Sequence, residues 1–154
     1  MELLAALEGS PLATALRQSV WAYPLVNAAH ILGFALLVGA IVPLDLRLLG
    51  VWATEPAEGL ARVLVPVAAS GLLLAAIAGL LLFCARATEY AASPWFLGKM
   101  GLVGVGVANA LAWRLRARRA TPTARARLPG RTTAAVSLAG WLLTLLLGRL
   151  VGYF

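Results

Sequence analysis

Tyr23, Asn27, His30 and Phe34 are spaced i, i+4, i+7 and i+11, which at about 100° per residue puts them on one stripe of a helix. The imidazole is the metal ligand of that stripe: one ring nitrogen can bind a metal while an acceptor such as the Asn27 side chain or a backbone carbonyl holds the other. Gly33 lies beside the stripe, where a glycine permits close approach by a second helix or by a flat ligand. The plainer role for His30 is a hydrogen bond between packed helices. Ionisable residues in apolar spans are costly, and that cost favours function over packing.

Lys99 is the chain's one lysine, set among Gly98, Gly101, Gly104 and Gly106. Its long stem can pass over apolar surface to bring the ammonium to an interface. Alternatively it joins Arg149 in a cationic pair suited to a carboxylate, although Arg149 also reads as an interfacial anchor. Asn109 is a further polar group of the same span, and Ser70 is small enough to bond its own backbone. The chain has no Gly-x-Ser-x-Gly, phosphate-binding loop or dinucleotide fingerprint, so hydrolase and ATPase chemistry have no motif to rest on. Cys84 is the only cysteine, which excludes an intrachain disulfide and a cysteine-ligated iron–sulfur cluster within one chain. One histidine likewise excludes bis-histidine haem ligation by a single chain, but leaves open a five-coordinate haem, a different sixth ligand, or a haem shared in a symmetric dimer.

The elements that hold these residues are apolar. Hydrophobic residues make up 62% of the 154 and charged residues 12%, against roughly 45–50% and 25% in soluble domains, so the solvent this surface suits is a bilayer. The expected fold is all-α: an integral membrane four-helix up-and-down bundle, one membrane domain over 1–154, with an N-terminal amphipathic interfacial helix over 1–19. Spans are expected at about 20–49, 60–84, 94–113 and 132–154, long enough for the roughly 20 residues that cross hydrocarbon, the first of them longer than that. The run from Val20 is read as a retained span, since no basic segment precedes it as in a signal peptide. Ser10-Pro11 and Ser93-Pro94 are helix starts, a cap followed by proline at the first helical position. Pro24, Pro43 and Pro66 are expected to bend their helices.

The net charge of +7 does not mark a nucleic-acid binder, because Arg114, Arg116, Arg118, Arg119, Arg125, Arg127 and Arg131 crowd one connector between spans. Arginine-rich short loops stay on the cytoplasmic side. That rule places this connector and the loop between Arg47 and Arg62 inside, and both termini outside. Lys99, Arg149, Arg17 and Arg86 then fall in the outer half.

Two blocks, His30-Ile31-Leu32-Gly33 with the apolar stretch ending Leu46-Arg47, and Trp95-Phe96-Leu97-Gly98-Lys99-Met100-Gly101-Leu102, resemble the HemJ-type membrane protoporphyrinogen oxidases, and more loosely the CopD-type copper-resistance membrane domain. The general pattern is similar to an uncharacterised family of short four-span bacterial membrane proteins. The HemJ resemblance implies haem b on His30 and a cation at Lys99 that meets substrate or propionate. It departs from that pattern in Asn109 to Arg114, where the oxidases carry further histidines. The leading expectation is thus a haem- or porphyrin-binding membrane protein, redox active, with His30 as metal ligand and Asn27, Tyr23, Gly33, Lys99 and Arg149 around the cofactor. The alternatives are a copper-handling protein with His30 and Met100 as ligands, and a non-catalytic subunit. The partners expected are lipid and a homo-oligomer or larger membrane complex.

Overall fold

In hydrocarbon a backbone must satisfy its own amides, so each long apolar run closes its hydrogen bonds as a helix. The computed structural model describes residues 2–119 and 130–153, the side chains of 117–119 excepted. Among these residues the helices are α1 (Glu2–Glu8), α2 (Pro11–Gln18), α3 (Ala22–Leu49), α4 (Ala57–Ala85), α5 (Ala87–Ala92), α6 (Pro94–Arg119) and α7 (Gly130–Leu150). Four of them, α3, α4, α6 and α7, are long and apolar enough to cross a membrane. The middle of the arginine-rich connector, with Arg125 and Arg127, lies outside the described residues.

The long helices alternate in direction. Helix α3 packs against both α4 and α7, and α7 packs against α6. Helices α4 and α6 are joined through α5, at the end where Phe83 stacks on Phe96 with ring centroids 5.5 Å apart. That end, which also carries α1 and α2, is called the cap end here; the other is the arginine end.

Small residues set the tightest seam. A methyl group on Gly33 of α3 would stand 2.5 Å from the backbone nitrogen of Ala75, and one on Gly71 of α4 would stand 2.6 Å from the carbonyl oxygen of Gly33. Only glycine at both positions allows backbones this near. Below this seam Leu37, Ala40, Ala68 and Trp141 form the buried core, with Phe34, Val103 and Val107 packed around it. Trp141 meets Phe34 edge-on at 6.4 Å and lies over Gly106, where a methyl group would come within 2.8 Å of the indole.

The N-terminal segment is two helices rather than the one expected. Gly9 and Ser10 interrupt it, because Ser10 accepts a hydrogen bond from the Ala13 amide at 3.3 Å as the cap of α2 and Pro11 cannot continue α1. The connection between the expected spans at 60–84 and 94–113 contains the short helix α5. Helix α4 begins at Ala57, ahead of the expected start at 60, and α6 runs to Arg119, past the expected end near Trp113, because its arginines are good helix formers. Pro43 and Pro66 lie within continuous helices.

The chain ends of the long helices are tied down by side chains. Helix α3 stops at Gly50, whose φ of 115° is left-handed, and Val51 donates to the Leu46 carbonyl at 3.0 Å in a Schellman closure. Arg47 then holds the following loop by donating to the carbonyls of Glu55 and Ala53. At the cap end Arg17 of α2 donates to the Ala85 carbonyl at 2.8 Å, at the C-terminus of α4. Glu8 of α1 accepts from the Thr88 hydroxyl at 2.6 Å, in the first turn of α5. A cation at one helix C-terminus and an anion at the next helix N-terminus both oppose the local dipole.

Candidate functional site

His30 sits one turn from Gly33, so the Gly33–Gly71 approach brings the α4 backbone within its reach. Its Nδ1 lies 2.8 Å from the Ala75 carbonyl oxygen. A carbonyl only accepts, so Nδ1 carries the proton and donates, and the lone pair is left on Nε2. The ring lies against Gly79, where a methyl group would come within 3.0 Å of Cε1. No hydrogen bond to Nε2 is made among the described residues. The bond joins two packed helices, α3 and α4, through a backbone carbonyl, and Asn27 is exposed rather than holding the ring.

Lys99 projects from α6 and lies across Gly148 of α7, with Cε and Nζ each 3.4 Å from the position a Gly148 methyl group would take. Glycine at 148 makes the channel for the lysine stem. His30 is thus set in the α3–α4 seam beside Gly79, and Lys99 in the α6–α7 seam beside Gly148.

The other expected site residues go elsewhere. Gly33 is buried against the α4 backbone, so its close approach is occupied by a helix and not by a flat ligand. Tyr23 is half-buried and pairs with Tyr90 of α5, whose hydroxyl is pushed up to about 12 by burial first and by the Tyr23 hydrogen bond second. Arg149 is exposed, stacks on the Tyr153 ring at 4.4 Å and donates to its hydroxyl, which turns it toward the end of the chain. Met100 is exposed. Ser70 bonds the Val67 carbonyl of its own helix at 2.9 Å, as expected, and Asn109 donates to the Thr133 carbonyl at 3.0 Å, joining α6 to α7.

One buried ionisable residue escaped the sequence reading. Asp45 lies within the Leu44-Asp45-Leu46-Arg47 stretch and passes for the polar edge of a span, yet it is only 4% exposed. It faces Ser137 of α7. Its helical spacing was the available signal: Asp45 follows buried Leu37 by eight residues and so shares its face.

Comparison with family models, with curated proteins and with solved structures finds no match to this chain. What fold and site together define is a class, a multi-pass α-helical membrane protein with a histidine and a lysine placed across its seams. Among the described residues no group of three or more metal-ligating side chains occurs, so a metal here would rest on the one imidazole and on whatever else the metal brings.

Proposed function

We propose that the protein binds a b-type haem or related porphyrin through His30, in the half of the membrane nearer the cap end. The observation that carries this reading is the hydrogen bond from His30 Nδ1 to the Ala75 carbonyl, which fixes the tautomer that offers Nε2 as a ligand, the arrangement of metal-binding histidines generally. His30 fits such a group in donor type, and Lys99 supplies the positive charge that a porphyrin carboxylate near it requires. Helix α6 is the least covered of the four spans, which leaves a side of it open to a bound group.

A porphyrin held this way would supply electron transfer, or would itself be the molecule oxidised, as the resemblance to the HemJ-type oxidases suggests. The chain's own part is orientation and charge. The Ala75 carbonyl holds the ring in one tautomer, Gly79 gives it room, and the Gly148 channel directs the Lys99 ammonium. The residues at the cap end lie outside under this reading, both termini with them, in a bacterial inner membrane whose cytoplasmic side faces the arginine end.

A second reading is a non-catalytic subunit, favoured by the open glycine face of α6: methyl groups on Gly101 and Gly104 would meet nothing within 4 Å. A copper protein of the CopD type is the third, supported by His30 alone. The absorption spectrum of the protein purified in mild detergent separates them. A Soret band supports the porphyrin reading. Bound copper without that band supports the third, and neither favours the subunit.

A further inference from the structure

Asp45 is the single aspartate of the chain, four residues before the end of α3 and so about 6 Å from its arginine end. It lies in the seam between α3 and α7, 4% exposed, beside buried Leu44 and facing Ser137, which is itself 8% exposed. The Asp45 Oδ2 atom is fully enclosed and has no hydrogen-bond partner among the described residues.

The ionisable groups of the surrounding elements are turned away from it. Arg47, on the same helix, is used on the Ala53 and Glu55 carbonyls. Arg131 of α7 is exposed and its guanidinium lies by Gly50, while Glu58 and Arg62 of α4 are exposed. His30, Lys99 and Arg149 belong to the cap end. Among the described residues, then, no cation faces the carboxyl.

An unpaired, enclosed carboxylate is far costlier than the neutral acid, which needs only hydrogen bonds. Two oxygens of one carboxyl and one serine hydroxyl are also too few for a metal cation, which takes six or more oxygen ligands in calcium sites and an octahedral set with magnesium. A proton needs one. We propose that Asp45 is a proton-binding site of the membrane domain: Oδ2 holds an exchangeable proton, Oδ1 accepts from the Ser137 hydroxyl, and the proton exchanges with water at the arginine end, one helical turn away. Intramembrane aspartates in such settings mark proton relays. The site stands independently of the porphyrin reading, since it lies at the other end of the bundle.

The lone aspartate permits a test without substitution. The full chain is labelled with aspartate carrying carbon-13 in its side-chain carboxyl, placed in lipid nanodiscs, and its carboxyl infrared band is followed. The expected result is a carboxylic-acid band at neutral pH that shifts in deuterium oxide and converts reversibly to a carboxylate band on alkalinisation, with helicity unchanged. A carboxylate band at neutral pH overturns the proposal, as does an acid band that never shifts in deuterium oxide. A band that becomes carboxylate on adding sodium at constant pH also overturns it, because the site then prefers a metal cation.

Discussion

Gly33 and Gly71 face each other so closely that a methyl group on either would fall within 2.8 Å of the other's carbonyl oxygen. The seam between α3 and α4 depends on this absence of side chains, and so does His30, whose partner is a carbonyl of the helix brought near.

Replacing Gly71 by alanine is therefore expected to destabilise the protein by about 1–3 kcal/mol, the usual cost of overpacking, in spite of the better helix propensity of alanine. Gly101→Ala, where nothing lies within 4 Å, is expected to be neutral or to gain up to about 1 kcal/mol. Thermal denaturation of the two variants in the same detergent decides this, and equal melting temperatures would contradict the seam.

The cap end is expected to loosen in acid. The Thr88 hydroxyl bonded to Glu8 holds that carboxyl below its ordinary value, with Arg17 and Arg86 assisting and desolvation opposing. A lowered folded value means that the stabilisation is complete above the unfolded value of about 4.3 and is lost as pH falls through the folded value. Cys84, the only cysteine and buried at this end, reports opening. At neutral pH a thiol reagent should modify Cys84 several-fold faster in Glu8→Gln than in the parent protein, while an equal rate would remove Glu8 from the cap.

At the opposite pH extreme Tyr90 is expected to act. Its value is raised from 10.0 to about 12, so the neutral phenol belongs to the folded state. Its contribution is whole below about 10 and disappears as pH rises through about 12. Phenolate absorbance should show Tyr90 titrating late, and Tyr23→Phe should bring that titration to lower pH by removing a hydrogen bond. A titration unchanged by Tyr23→Phe would contradict the pairing.

The spans were legible because twenty consecutive apolar residues have few soluble uses, and the helix starts at Ser10 and Ser93 were legible because serine before proline has a local mechanism. In the structure Ser93 accepts from the Phe96 amide at 3.4 Å as that mechanism requires. Helix pairing was not legible: a glycine such as Gly33 shows that something approaches closely, but nothing in α3 names Gly71 as the partner. Lys99 was recognisable as an anomaly, whereas its channel at Gly148 depends on a neighbour 49 residues away. Asp45 was missed because charge near a span end normally reaches water, and only the packing of α7 encloses it.

The most direct test of the account is the spectrum of two variants beside the parent protein. His30→Ala removes the proposed ligand and is expected to abolish the Soret band or to shift it, whereas Lys99→Ala removes only a countercharge and is expected to lower porphyrin retention while leaving the band position unchanged. A Soret band in His30→Ala identical in position and intensity to that of the parent would contradict the assignment of His30 and leave the subunit reading in its place.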